Sequence, residues 1–192
     1  MLGIALALVV AGCGAGATPI GSTRAQSGAA AGGLFPPLRP APPPAGWRSA
    51  TLPSGAVLAY PADWQPLRGD SGTASAGLRD ARGAYLGYLN LTPRQGGETL
   101  ANWPRFRAQH SREEGDLTLA TLATARDVPF RDGAHGTCVR DAYTTRTHLR
   151  FVEIACLIHG AGADSVIVAA APPAQWARQW PALERALEAV RS

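Results

Sequence analysis

The chain has 192 residues, which is enough for one domain of ordinary size and too few for two. Charged residues make up only 17% of it, and all 18 basic residues are arginines, in a background rich in Ala and Gly. This bias is typical of GC-rich coding DNA, so the net charge of +4 does not indicate a nucleic-acid-binding protein. The sequence predicts a location and a fold, but no reaction.

The N-terminus has the pattern of a targeting segment. Residues 1–12 form an uncharged apolar run, which is as long as a signal peptide requires and shorter than the roughly 20 residues of a membrane-spanning helix. Ala11 and Gly12, followed by Cys13, resemble the bacterial lipobox. By this resemblance Cys13 becomes the new N-terminus and carries diacylglyceryl and palmitate chains. No basic residue precedes Arg24, which an upstream start codon would explain; the alternative is a signal peptide whose Cys13 is not lipidated.

Residues 13–46 are rich in Ala, Gly, Ser, Thr and Pro, and they predict a disordered tether. Its proline-rich part, residues 36–44, is also compatible with a ligand for an aromatic groove. Two acyl chains give stable anchoring. We therefore expect a globular domain over residues 47–192, held at the extracytoplasmic face of the cell membrane by a lipid anchor.

The first half of that domain predicts two hairpins. Residues 50–60 alternate around a Pro-Ser-Gly turn, and residues 75–92 alternate around a turn at residues 80–83. In the second hairpin, Tyr85, Gly87, Leu89 and Leu91 are expected on one face of a strand.

A helix with Thr99 as its N-cap and Gly115 at its end follows. Strands are then predicted over residues 117–128, 136–144, 148–159 and 165–171, the last of them central because it is wholly apolar. The chain ends in an amphipathic helix, whose apolar stripe runs through Trp176, Trp180, Leu183, Leu187 and Val190.

Runs of strands with one helix in the middle and one at the end predict an α+β fold, an antiparallel β-sheet flanked by helices. The early GAVLAYPADWQ element, the helix over residues 99–115, the later strands and the terminal ALERALEAVRS resemble the PsbP-like superfamily. That superfamily includes the photosystem II extrinsic oxygen-evolving subunit and a Ran-binding nuclear import factor. The resemblance implies an α/β/α sandwich and mostly non-enzymatic binding or assembly roles.

Cys138 and Cys156 form an even pair in a domain expected outside the cytoplasm. They are equidistant from a turn near Arg146, so they are expected as cross-strand neighbours joined by a disulfide worth roughly 3 kcal/mol. The alternatives are two buried thiols or a metal site that includes His135.

No catalytic motif accompanies these residues. His110, His148 and His159 are expected at a helix surface, a turn and a strand end, and no nucleophile, phosphate-loop or metalloprotease signature is present. The run of charges over residues 105–114 is expected to be a solvated face, or a contact for anionic lipids.

We therefore expect a non-catalytic lipoprotein without cofactors or metals, which binds an envelope protein partner or assists envelope assembly. The alternative is a lipoprotein that binds a small molecule or lipid in a cleft between the sheet and the helices. An enzyme would require His135, His159 and an aspartate to meet in a pocket.

Overall fold

Antiparallel pairing between successive strands organises the part of the chain that the computed structural model describes, residues 35–192. The elements are β1 (Arg48–Thr51), β2 (Val57–Tyr60), β3 (Gln65–Leu67), β4 (Ala74–Arg79), β5 (Tyr85–Pro93), α1 (Trp103–Glu113), β6 (Thr118–Pro129), a short 3-10 turn (Arg131–Gly133), β7 (His135–Thr144), β8 (Arg150–His159), β9 (Ser165–Ala171) and α2 (Pro173–Ala189). The predicted hairpins, later strands and terminal helix are all present.

Seven strands form one sheet in the order β3-β4-β5-β9-β8-β7-β6, and every neighbouring pair is antiparallel. The apolar strand β9 is central, as its sequence predicts. A separate hairpin of β1 and β2 packs with α2 on one face of the sheet, and α1 packs on the other face. The predicted α+β architecture, an antiparallel sheet between helices, is confirmed.

The larger core lies between the sheet and α2. Because side chains alternate along a strand, Leu89 and Leu91 of β5 and Ile167 of β9 all face this side. They pack against Leu183 and Leu187 of α2, and all five side chains are fully buried. Since α2 packs on this face, α1 is the helix that packs on the opposite face of the sheet.

The disulfide joins β7 to β8 within this core. Cys138 and Cys156 are directly opposite each other in the strand register, with their Cα atoms 4.0 Å apart, and the sulfur atoms are bonded. The predicted cross-strand disulfide is confirmed. The sulfur of Cys138 is therefore bonded to Cys156, and residues 35–192 contain no group of three or more His, Cys, Asp or Glu side chains that could hold a metal ion.

The folded domain begins earlier than the predicted boundary at Trp47. Leu38 is buried in the core beside α2, and the backbone N–H groups of Arg39 and Ala41 donate to the side chain and the carbonyl of Glu188 at 2.8 and 3.1 Å. The composition of this segment conceals the contact, because only two large apolar side chains of the described segment, Phe35 and Leu38, provide the anchor among prolines and small residues. The predicted signal peptide, Cys13 and the first part of the tether lie outside the described residues.

Two local predictions are wrong. Tyr85 does not share a face with Gly87, because a β-bulge between β4 and β5 pairs Leu78 with Gly87 but Arg79 with Tyr85, which inserts one residue into β5. The middle helix begins at Trp103 rather than after Thr99.

Thr99 instead forms a turn before the helix. Its N–H donates to Oδ1 of Asn102 at 2.7 Å, and its hydroxyl accepts from the Asn102 N–H at 3.2 Å. Gly115 follows the helix with a φ of +91°, as expected for a residue that ends a helix. Neither helix of residues 35–192 has the length and hydropathy required to cross a membrane.

Candidate functional site

An open cleft of about 550 Å³ lies on the α1 face of the sheet. It exists because α1 contacts mainly β6, β7 and β8, so β9 meets only the edge of the cluster around Trp103 and the adjoining strands β5 and β4 are left uncovered. As a result Val166 and Val168, although they belong to the central strand, are only half-buried on this face. The fold thus presents an uncovered concave surface beside a helix.

The floor of the cleft is polar where it crosses β5 and β4. Tyr88, Asn90 and Thr92 alternate with the core leucines of β5 and therefore face the cleft. The side chain amide of Asn90 donates to the hydroxyl of Ser75 on β4 at 2.8 Å. Burial raises the pKa of Tyr88, so its hydroxyl stays protonated at neutral pH.

Helix α1 forms one wall. Trp103, Phe106 and His110 recur at helical spacing and stack in sequence, with ring centroids 6.1 and 6.2 Å apart. The indole N–H of Trp103 donates to the carbonyl of Ala155 on β8 at 3.0 Å, which fixes the start of the helix to the sheet. The opposite wall comes from the segment between β3 and β4, including Asp70 and Thr73.

A buried ion pair lies at the inner end of the cleft. Arg107 of α1 donates from Nε and Nη2 to the two carboxylate oxygens of Glu153 on β8, at 2.8 and 3.0 Å. Glu153 is completely buried and Arg107 nearly so. Burial alone would lower the pKa of Arg107, but the charge and hydrogen bonds of Glu153 outweigh it and the pKa is raised.

This pair overturns the prediction that residues 105–114 form a solvated face. Arg107 occupies the same helical stripe as Trp103, Phe106 and His110, so helical spacing places it on the face of α1 that packs against the sheet. Its partner was also visible as the single acidic residue in the apolar strand β8. What the sequence does not show is that Arg107 and Glu153, which are 46 residues apart in the chain, come into contact in the fold.

Two further polar side chains extend the cluster around the ion pair. Asp141 on β7 is buried and lies opposite both Glu153 of β8 and Thr121 of β6 in the strand register. Burial raises its pKa to about 6. Burial and the nearby charge of Glu153 raise the pKa of Tyr143, so this hydroxyl stays neutral at the inner end of the cleft.

The other histidines lie away from the cleft. His135 and His159 are paired across β7 and β8, with ring centroids 5.4 Å apart, and Nδ1 of His159 is 2.7 Å from Asp164. These are the two histidines and an aspartate whose clustering in a pocket would favour an enzyme. The side chain of His159 is 58% exposed, and none of the three residues lines the cleft, so the cluster is a surface network.

Comparison with known proteins identifies the architecture. The solution structure of cyanobacterial PsbP (CyanoP) from Synechocystis superposes with a TM-score of 0.53 and 11% sequence identity, over 77% of this chain and 93% of that one. The fold is PsbP-like. PA94 from Pseudomonas aeruginosa, described as a protein of unknown function, matches with a TM-score of 0.50 and 14% identity, over 76% of this chain and 96% of its own.

The PsbP-like architecture therefore confirms the resemblance in the sequence at the level of fold. No protein-family model and no curated protein sequence matches this chain. At this level of identity the shared PsbP-like fold carries no information about ligand or partner, so a function has to be argued from the cleft itself.

Proposed function

We propose that this chain is an extracytoplasmic binding protein that holds a small molecule in the cleft beside α1. The observation that carries the proposal is the cleft itself: its volume of about 550 Å³ lies within the range of small-molecule sites. Aromatic rings of α1 and neutral polar groups of β5 converge on it, and convergent polar groups of this kind fix the orientation of a bound ligand. This is the cleft between sheet and helix that the second sequence hypothesis required.

The proposed role is binding rather than catalysis because the central ion pair of the cluster is already formed. Arg107 and Glu153 are bound to each other by two hydrogen bonds. Next to them, Tyr143 is held neutral by burial. Groups held in this way are suited to positioning and orienting a ligand.

The test is a fragment screen by NMR on the full chain. Fragments that bind should shift the resonances of Tyr88, Asn90 and Val168, and Val168→Phe should abolish these shifts because the larger side chain fills the floor. Val57→Phe is the matched control, since Val57 is half-buried in the β1–β2 hairpin away from the cleft. Binding that maps elsewhere, or that survives Val168→Phe, would reject the cleft as the site.

The proposed location is the outer face of the membrane, with Cys13 as the lipid attachment site. A disulfide in the folded domain supports an oxidising compartment. Metabolic labelling with an alkyne-bearing fatty acid should tag the full chain and fail to tag a Cys13→Ser variant. Equal labelling of both chains would reject the anchor.

An envelope protein partner is a second candidate function, supported by two exposed leucines. Leu117 and Leu149 are 54% and 56% exposed, and both hydrogen-bond through their backbones to the turn at Thr144 and Thr145. They therefore sit at the same end of the sheet. Crosslinking in the native membrane should enrich one protein over an unrelated lipoprotein control, and Leu117→Asp should reduce that enrichment.

A further inference from the structure

A second, apolar depression adjoins the cleft. It measures about 260 Å³ and is lined by Tyr85, Tyr88, Tyr143, Leu149, Phe151 and Ala170. Its three tyrosines also line the cleft, so the two spaces share a boundary. One side of that boundary is polar, and the other is hydrocarbon and aromatic rings.

The apolar side is built from ring contacts, one across neighbouring strands and one within β5. Tyr143 and Phe151 stack with centroids 5.8 Å apart, and Tyr85 meets Tyr88 edge-on at 5.9 Å. Leu149 extends this surface outward and is 56% exposed. An exposed leucine continuous with half-buried rings is an apolar surface without a partner among the described residues.

The polar side carries an excess of negative charge. Arg107 is paired with Glu153 and lies 3.7 Å from Glu114, so this cation is neutralised. The other arginine of the lining, Arg68, is exposed, and the two arginines are outnumbered by four carboxylates, those of Asp70, Glu98, Glu114 and Glu153. Glu98 is buried beside the cleft, accepts one hydrogen bond from the N–H of Gln95 through Oε1, and has no partner for Oε2. Glu98 takes part in none of the ion pairs formed among residues 35–192.

We propose that the cleft and the depression together bind a monomeric amphiphile with a cationic nitrogen in its head group and an unbranched hydrocarbon tail. The head occupies the acidic cleft, where aromatic faces and Glu98 favour a cation. The tail lies over Phe151 and Leu149. This inference deepens the proposed function and rests on it, since it names the chemical class of the ligand of the same cleft.

The first experiment measures the affinity of the full chain for alkyltrimethylammonium ions from butyl to dodecyl, by calorimetry with the probe monomeric. Each added methylene should strengthen binding by up to about fourfold until the depression is filled. At one chain length the affinity should fall from the trimethylammonium to the glucoside and again to the sulfate. An affinity independent of chain length, or a preference for the sulfate, would overturn the proposal.

Paired variants then assign the two ends of the ligand. Leu149→Asp should weaken the dodecyl probe by about fivefold and the butyl probe little, because only the longer tail reaches this residue. Leu117→Asp is the matched control, since Leu117 is equally exposed and lines neither space. Equal effects of the two substitutions would contradict the assigned path of the tail.

Glu98→Gln should weaken the trimethylammonium probe by about fivefold and leave the glucoside unchanged, because it removes a charge and keeps an acceptor for the Gln95 N–H. Glu113→Gln is its control, an exposed carboxylate of α1 outside the cleft. An equal loss for both probes would overturn the role of the charge.

The two proposals fail differently. If fragments shift the cleft resonances while the alkylammonium series shows no dependence on chain length, the cleft is a site and the amphiphile is wrong. If neither fragments nor any amphiphile perturbs Tyr88 and Asn90, both proposals are wrong.

Discussion

Removal of one partner of the buried ion pair gives the strongest test of the energetics of the α1 face. Arg107→Ala leaves Glu153, which is completely buried, without its two hydrogen bonds of 2.8 and 3.0 Å. Asp141 lies opposite it in the register and is also buried, so no cation replaces the one removed. Breaking a buried pair in this way costs about 3 to 5 kcal/mol, and we expect a loss of that size.

The matched double variant separates the cost of an orphaned charge from the worth of the pair. Arg107→Met with Glu153→Leu removes both charges and keeps apolar volume, so its free energy of unfolding should lie within about 1 kcal/mol of wild type or above it. Arg105→Ala is the surface control on the same helix, with an expected change below about 0.5 kcal/mol. Urea unfolding followed by tryptophan fluorescence measures all three, with the slope as a check on two-state behaviour. A loss below about 1 kcal/mol for Arg107→Ala would refute the reasoning.

Three further changes test other parts of the fold. Reduction of the Cys138–Cys156 disulfide should lower the free energy of unfolding by roughly 3 kcal/mol, and an unchanged melting temperature under reductant would contradict this. Because burial raises the pKa of Asp141 to about 6, the folded state binds that proton more tightly than the unfolded chain and loses stability as the pH rises from about 4 to about 6. Asp141→Asn should therefore exceed wild type by about 3 kcal/mol in thermal unfolding near pH 8 and match it near pH 4, and the reverse pH dependence would disprove the assignment. Gly87→Ala places a Cβ 2.6 Å from the ring of Trp64, so it should destabilise by about 1 to 3 kcal/mol in the same urea assay, and a neutral result would show that the ring moves aside.

The elements that sequence analysis predicts well are those set by local alternation. The run of apolar residues in β9 marks the centre of the sheet, and the two cysteines equidistant from a turn mark the pairing of β7 with β8. Both signals depend on neighbours along the chain or across one hairpin. These signals predict the sheet of the PsbP-like fold, and they contain no information about the cleft.

The site required information that local patterns do not contain. Arg107 has a charged side chain, which sequence analysis assigns to the surface. It is buried because it pairs with Glu153, which belongs to an element distant in the chain. Tyr85 faces the cleft because a bulge shifts the register by one residue, and alternation alone assigns it to the other face. The cleft itself is a consequence of how few strands α1 covers, which no single segment of the sequence specifies.

The attachment of the N-terminal segment to α2 determines how the domain responds to tension. Leu38 and the two hydrogen bonds to Glu188 fasten the chain to the last turn of that helix, on the face of the sheet opposite the cleft. A pull applied through the preceding residues is therefore borne first by α2 and the larger core. The floor of the cleft is the other face of the same strands, β5 and β9, so a pull of this kind reaches the cleft only after it has been transmitted through the larger core.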